Sequence, residues 1–153
     1  LRRLAAAYEY TPRATDFARS PPDIPSVLGE LTRLEELSLS NVRSLPEEIA
    51  NLTELHTLAL SGDLVDIPAS LVKLRSLRRL HIETSNAIRG LPDDFDQLTQ
   101  LTDVSISRLG CDRPPAAVLR MPWLERVRLV PRRKWSEADV ANMKRLLPKA
   151  AFR

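Results

Sequence analysis

Apolar residues recur along this chain in a fixed frame that begins at a proline. Apolar side chains follow each such proline after three, six, nine, twelve and fourteen positions, and the frame occurs five times without a miss. A representative copy is LPEEIANLTELHTLAL, from Leu45 to Leu60. The prolines that open the frames are Pro25, Pro46, Pro68, Pro92 and Pro115. One unit therefore accounts for most of the chain.

The spacing within the frame predicts two kinds of local structure. Apolar residues three positions apart favour a tight helical turn, and the final pair, two positions apart, favours a short strand with alternate side chains inward. Successive prolines are 21, 22, 24 and 23 residues apart, whereas each lies twelve residues before its strand centre. The variation in length therefore falls in the loop that leaves the strand. The strand centres are Leu37, Leu58, Leu80, Val104 and Val127.

A single unit of this kind cannot bury its inward residues, but stacked units cover one another. A repeat of roughly 20 to 29 residues with an L-x-x-L-x-L pattern is typical of leucine-rich repeats. We therefore predict an α/β fold, a right-handed leucine-rich repeat solenoid of five repeats of 21–24 residues. It would carry a parallel concave sheet on one side and helical turns on the other.

Both ends of the chain are predicted to form caps over the repeats. Apolar residues at helical spacing from Leu1 to Tyr10 predict a short amphipathic helix, and the stretch from Thr15 to Ala18 predicts an edge strand. After Pro131 a second helix is predicted to close the other end. The predicted organisation is one domain over 1–153, with an N-terminal cap at 1–24, repeats at 25–130 and a C-terminal helical cap at 131–153. Because the first residue is a leucine, we expect an excerpt of a longer protein.

The C-terminal cap rests on a recognisable helix start. Ser136, followed three residues later by Asp139, forms a capping-box pattern, and Trp135 just before it is a predicted anchor. The apolar stripe of this helix is Val140, Met143 and Leu147.

Composition places the chain among globular proteins and limits the alternatives. Apolar residues make up 43% and charged residues 28%, and no run of eighteen apolar residues predicts a membrane span. The single cysteine, Cys111, excludes an internal disulfide framework. The net charge is only +3, but the charged residues within 30–54 are mostly acidic and those within 121–153 are mostly basic. This asymmetry bears on partners more than on the fold.

Residues that alternate outward from the strands are predicted to form the concave surface, a large preformed surface that repeat proteins use for binding. The outward set reaches the strand ends at Asn41, Gly62, Thr84 and Val130. We predict a protein-binding site here and favour a monomer; the alternative is a merely solvated face with partners bound elsewhere. The candidate partner-binding residues are Glu36, Ser38, Thr57, Arg79, His81, Glu83, Asp103, Arg108, Arg126 and Arg128.

Catalytic and metal-binding patterns are not predicted. The two histidines, His56 and His81, lie in no metal-ligand or catalytic-triad spacing. The acidic residues from Asp93 to Asp96 follow a proline and are interpreted as favouring a helix N-terminus rather than a cation site. We therefore expect no catalytic residue, no metal and no cofactor.

The basic run from Arg132 to Lys134 beside Trp135 suggests nucleic acid or anionic lipid as another partner, because arginine and an aromatic ring can hold phosphate and a base. An aromatic fraction of only 5% and a small net charge make this the weaker interpretation.

The strings LTRLEELSLS, LTELHTLALS, LRSLRRLHIE and LTQLTDVSIS, each preceded by an IP or LP pair, resemble leucine-rich repeats over about Pro25 to Val130. The uneven repeats with LPxxIxxLxxLxxL resemble type III effectors of plant-associated bacteria and also plant immune receptors. The stretch VRLVPRRKW and the following helix resemble the end of the repeat domain in effector ubiquitin ligases of the Xanthomonas outer protein L type. One departure is that the family's usual asparagine after the strand is replaced, by Val42, Asp63, Ser85 and Leu109.

Several functions follow from these resemblances. Nineteen arginines against four lysines suggest a GC-rich genome and favour the bacterial interpretation, namely target recognition by an effector secreted into the host cell cytoplasm, with a host protein as partner. A second hypothesis is that the chain is the substrate-binding part of a ubiquitin ligase whose catalytic domain lies outside it. A plant immune receptor fragment and basic-end binding of nucleic acid or anionic lipid are the further alternatives.

Overall fold

The computed structural model describes residues 3–5 and 26–152, and its strands form one parallel sheet in chain order. Each strand pairs with the strands that precede and follow it in the sequence. The seven strands of the described part are β1 (Arg3–Ala5), β2 (Glu36–Val42), β3 (Thr57–Gly62), β4 (Arg79–Thr84), β5 (Asp103–Leu109), β6 (Arg126–Pro131) and β7 (Ala151–Phe152).

Short helical segments connect these strands. Among residues 26–152, four are 3-10 turns, at Ser26–Glu30, Glu47–Asn51, Ala69–Lys73 and Phe95–Gln97, and two are α-helices, α1 (Ala116–Leu119) and α2 (Glu137–Leu146). The predicted parallel sheet with tight helical turns is therefore confirmed. Among the described residues, no helix has the length and apolar character needed to cross a membrane. The boundaries drawn at residues 24 and 130 stay a prediction.

The backbone of each turn explains why the apolar residues lie three apart. Ile49 N donates to Pro46 O at 3.1 Å, Leu52 N donates to Ile49 O at 3.1 Å, and Leu55 N donates to Leu52 O at 3.0 Å. The frame residues thus satisfy one another's backbone groups, in steps of three, while their side chains enter the core. The same series of bonds starts at Pro68 and Pro92.

The core consists of rows of equivalent residues that cross the sheet. The strand centres pair in register from Leu37 through Leu58, Leu80 and Val104 to Val127, and all are buried. The next inward row, from Leu60 to Ile106, is buried as well, whereas its end members Leu39 and Leu129 are only partly buried. Each inward residue is therefore covered by its counterparts on the neighbouring strands.

Two strands contain bulges that replace the asparagine ladder expected of the family. The backbone takes positive φ at Asn41 (61°) and at Arg108 (55°), and the strand register shifts there. The following residues, Val42 and Leu109, consequently turn inward and are buried. An apolar side chain thus fills the position at which the family usually places a hydrogen-bonding one.

Strand β4 has no bulge, and the prediction that Thr84 faces outward is therefore wrong. Thr84 keeps the regular alternation of β4, points inward and is buried. Its hydroxyl Oγ1 donates to Leu64 O at 2.8 Å, and its backbone N donates to Ser107 Oγ at 2.9 Å. The buried hydroxyl is thereby satisfied, and it ties β4 to the loop after β3.

The N-terminal prediction is wrong where the structure describes it. Arg3–Ala5 forms a strand rather than part of a helix, and it pairs in parallel with Glu36–Ser38, with Leu4 opposite Leu37. The edge of β2 presents backbone donors and acceptors that a strand can satisfy and a helix cannot. The predicted edge strand from Thr15 to Ala18 lies outside the described residues.

The C-terminal helix is confirmed. Ser136 Oγ accepts from Asp139 N at 3.1 Å, and Met143 and Leu147 are buried in the core. Trp135 is buried too, and its Nε1 donates to Cys111 O at 3.0 Å. The chain then adds the short strand β7, which the sequence did not indicate, with Ala151 N donating to Glu125 O at 2.7 Å.

Equivalent frame positions in different repeats provide a matched test of the core. Leu74 is 0% exposed and Leu31, at the same frame position, is 42% exposed. We expect Leu74→Ala to lower the free energy of unfolding by about 2 to 5 kcal/mol, because it leaves a cavity. Leu31→Ala should cost less than about 1 kcal/mol. Urea unfolding followed by circular dichroism measures both, and equal losses would contradict this description of the core.

Two glycines provide a matched test of the backbone at the end of β3. Gly62 has φ of 146°, and a Cβ there would lie 2.4 Å from Val42 N, whereas a Cβ at Gly90 would meet nothing within 4 Å. We expect Gly62→Ala to destabilise the protein by about 1 to 3 kcal/mol through backbone strain. Gly90→Ala should be neutral within about 0.5 kcal/mol. The midpoints of thermal unfolding compare the two, and a neutral Gly62→Ala would refute the strain.

Candidate partner-binding site

Side chains that alternate with the core residues cover the other face of the sheet, here called the open sheet face. Strand register sorts them into two rows that cross the strands. Over β2 to β7, the first row is defined here as Glu36, Thr57, Arg79, Asp103, Arg126 and Ala151. Over β2 to β6, the second row is defined as Ser38, Ala59, His81, Ser105 and Arg128. In a parallel sheet, members of one row on adjacent strands lie about 4.8 Å apart.

A hollow of about 490 Å³ lies on this face, as expected of a concave surface. Both rows contribute to its lining, and the first row contributes all of its members. The hollow thus brings together seven of the ten predicted binding residues: Glu36, Thr57, Arg79, His81, Asp103, Arg126 and Arg128.

The charged side chains of the first row pair with one another across the strands. Arg79 Nε donates to Thr57 Oγ1 at 3.1 Å, and its guanidinium lies 3.9 Å from Glu36 Oε1. Arg126 Nε donates to Asp103 Oδ1, and Thr102 Oγ1 donates to Asp103 Oδ2 at 2.7 Å. Charges of opposite sign therefore alternate along the row and largely compensate one another.

Asp103 is the least exposed of these charged groups. The hydrogen bond from Arg126 lowers the pKa of the Asp103 carboxyl, against the opposing effect of burial, and the Thr102 hydroxyl and the charge of Arg79 lower it further. The same contact raises the pKa of Arg126. The pair therefore stays ionised under physiological conditions and fixes the orientation of Arg126 at the edge of the hollow.

The second row consists of small side chains together with one histidine, His81, and one arginine, Arg128. Ala59 and Ser105 are half-buried and leave room above the sheet. His81 Nε2 lies 3.9 Å from Glu83 Oε2, so the imidazole has an acidic neighbour on its own strand. Arg128 is exposed and forms neither an ion pair nor a hydrogen bond with any other residue between 26 and 152.

Three predicted residues do not line the hollow. Ser38 belongs to the second row but lies beyond the end of the hollow, and Glu83 is one step further along β4. Arg108 is exposed at the bulge of β5, where positive φ removes it from the regular alternation. Sequence reasoning missed Ala151, which completes the first row from β7. A strand of two residues leaves no periodic signal that could have predicted it.

The remaining chemical candidates have structural explanations. Arg120 Nε donates to Asp96 Oδ2 at 2.7 Å, and another guanidinium nitrogen of Arg120 donates to Asp93 O at 2.6 Å. This contact lowers the pKa of Asp96 and links α1 to the preceding turn. Burial raises the pKa of the Cys111 thiol, which disfavours a reactive thiolate. In the described part of the chain, no group of acidic, histidine or cysteine residues could hold a metal ion.

A second hollow, of about 480 Å³, lies at the C-terminal end of the sheet on the core side. Its walls are mainly apolar and come from β6, α2 and β7, with Leu129, Val140 and Phe152 partly buried around it. In the interior of the sheet the residue equivalent to Leu129 is Ile106, which the next strand covers completely. The second hollow therefore marks the end of the stack of repeats.

Comparison with known proteins shows the family to which the chain belongs. The family model described as "Leucine-rich repeat region" matches residues 24–149, and the chain belongs to this family. Leucine-rich repeat folds generally serve as protein–protein interaction modules and are typically non-catalytic. No curated protein matches the chain.

Solved structures give the same fold. A leucine-rich repeat protein of Leptospira interrogans is 26% identical with a TM-score of 0.76, over 86% of this chain and 34% of that one. The ectodomain of the Arabidopsis thaliana receptor kinase GASSHO1/SCHENGEN3, in complex with CASPARIAN STRIP INTEGRITY FACTOR 2, is 27% identical with a TM-score of 0.68, over 85% of this chain and 16% of that one. The chain thus spans about a third of the former and a sixth of the latter.

An internalin from Listeria monocytogenes, InlF, has the same fold at 21% identity and a TM-score of 0.63, over 85% of this chain and 39% of that one. At this identity the likeness concerns the fold alone.

The Arg126–Asp103 contact predicts a measurable change in acidity. We expect Arg126→Gln to raise the Asp103 pKa toward the ordinary value of about 3.9, because the main cause of its lowering is removed. Arg128→Gln, which removes a charge from the same strand without touching Asp103, should leave the pKa low. Carboxyl chemical shifts followed by NMR during an acid titration give both values.

The sign of the effect on stability follows from linkage. An aspartate with a lowered folded pKa stabilises the protein above its unfolded pKa, and this contribution disappears as the pH falls through the folded pKa. Arg126→Gln should therefore reduce the free energy of unfolding at neutral pH. As the pH falls, the variant should then lose less of its remaining stability than the wild type does. An unchanged Asp103 pKa in Arg126→Gln would show that the contact does not control the carboxyl.

Proposed function

We propose that the open sheet face binds a protein partner and that this chain is a recognition module rather than a catalyst. The observation that carries the proposal is the hollow itself, which gathers seven predicted binding residues from five adjacent strands. Its backbone is held by the buried rows beneath it, so the binding surface is preformed and little conformational entropy is lost on association.

The polarity of the face also supports a specific protein partner. Acidic and basic side chains are interleaved around the hollow, from Glu36 and Arg79 to Asp103 and Arg126, and Arg128 adds a cation at the β6 end. A surface with such a charge arrangement discriminates among partners by charge as well as by shape. Such a surface differs from the uniformly basic one that binding to nucleic acid favours.

Our more specific hypothesis is target recognition by a secreted bacterial effector that acts on a host protein. It is supported by the excess of arginine over lysine and by the resemblance of VRLVPRRKW and the following helix to effector ubiquitin ligases. If the whole protein is such a ligase, this chain would supply substrate binding, and catalysis would come from a domain outside residues 1–153. The sequence on either side of this chain distinguishes this hypothesis from a plant receptor fragment.

A selection experiment tests the binding face. Peptides that bind the protein are isolated from a random display library, and their affinities are measured for two tryptophan variants. Ser105→Trp fills the hollow from its floor, whereas Lys73→Trp adds the same side chain to an exposed helical turn away from the sheet. We expect Ser105→Trp to weaken binding at least about tenfold and Lys73→Trp to leave it unchanged. Selected binders that tolerate Ser105→Trp would place the binding surface elsewhere.

A further inference from the structure

The two rows of the open sheet face differ in how their charges are compensated. In the first row, Arg79 faces Glu36 and Thr57, and Arg126 is bound to Asp103. These arginines already have partners, and a ligand would have to compete with intramolecular contacts to use them fully. The first row therefore acts as a wall of the hollow with little net charge.

The second row ends in a cation that no described residue compensates. Its interior positions Ala59 and Ser105 are small and half-buried, one on each side of His81, and both His81 and Ser105 line the hollow. At the β6 end, the guanidinium of Arg128 lines the hollow, is exposed and has no partner among residues 26–152. The planar guanidinium presents parallel N–H donors that match a carboxylate in two-point geometry.

Distances along the second row fit an extended peptide. From Ala59 to Arg128 the row crosses three strand intervals, about 14 Å at the usual 4.8 Å spacing of strands. An extended chain rises about 3.3 Å per residue, so roughly five residues cover this distance. A side chain at the far end of such a segment would lie over Arg128.

We propose that the open sheet face binds an extended segment of a protein partner that crosses β3 to β6 along the second row and places an aspartate or glutamate carboxylate on Arg128. The proposal rests on the proposed function and specifies the partner's chemistry and direction. The direction follows from charge: Arg128 is the only lysine or arginine of the second row from β2 to β6, and the basic residues Arg132 and Arg133 follow β6. The acidic end of the segment therefore lies at β6.

The test is a double-mutant cycle with peptides selected on the wild-type protein. The strongest binder is synthesised with its acidic residue and with the corresponding glutamine or asparagine, and both forms are measured against the wild type and Arg128→Gln. We expect each single change to weaken binding about tenfold to a hundredfold. Both changes together should weaken it no further than one alone, because they remove the same contact. Affinity should also fall with added salt.

A matched variant controls for net charge. Arg113→Gln removes an equal charge from an exposed loop after β5 and should leave the affinity unchanged. Circular dichroism checks that Arg128→Gln stays folded, which its exposure leads us to expect.

Four results would overturn the proposal. Two of these results would reject the contact with Arg128 and leave the proposed function standing, provided that Ser105→Trp still weakens binding. They are selected peptides that lack an acidic residue, and single changes whose losses of binding free energy simply add. Displacement of the peptide by single-stranded oligodeoxynucleotide or by phosphatidylserine vesicles, with the same dependence on Arg128, would show a general anion site instead. Peptides indifferent to Ser105→Trp would reject the proposed function itself.

Discussion

Mutual coverage of equivalent apolar residues is the constraint on which the whole structure depends. A strand centre such as Leu80 is buried only because Leu58 and Val104 lie on either side of it in the same row. In the helical turns, frame residues three positions apart are also joined by backbone hydrogen bonds, as from Leu52 N to Ile49 O. Where the row ends, the burial ends too, and Leu129 is covered only in part despite α2 and β7.

This constraint separates the scaffold from the proposed binding surface. Inward positions must stay apolar in every repeat, whereas outward positions touch no neighbouring core and can carry different residues. The one position before each strand centre shows this freedom, because it holds glutamate, threonine, arginine, aspartate and arginine in successive repeats. Register brings these residues into a single row, and opposite charges then pair across it. Differences between repeats thus become an organised surface.

Much of this could be predicted from sequence, because the apolar frame fixes both the alternation and the register. The failures concern the ends of strands and the shortest segments. Thr84 was predicted to face outward like Asn41 and Arg108, but those two face outward because positive φ creates a bulge, whereas β4 keeps its regular alternation and turns Thr84 inward. A signal did exist: Val42 and Leu109, the residues after the bulges, are apolar, whereas the equivalent Ser85 is polar. The strand pairing of Arg3–Ala5 and β7 left no such signal, because these segments are too short for periodicity.

Partner recognition on the open sheet face, as proposed above, can be mapped residue by residue. An NMR titration of isotope-labelled protein with a selected peptide follows every backbone amide. We expect the largest shifts at Ala59, His81, Ser105 and Arg128, with small changes in the helical turns. Shifts concentrated instead around Leu129, Val140 and Phe152, which surround the hollow at the end of the stack, would contradict this proposal.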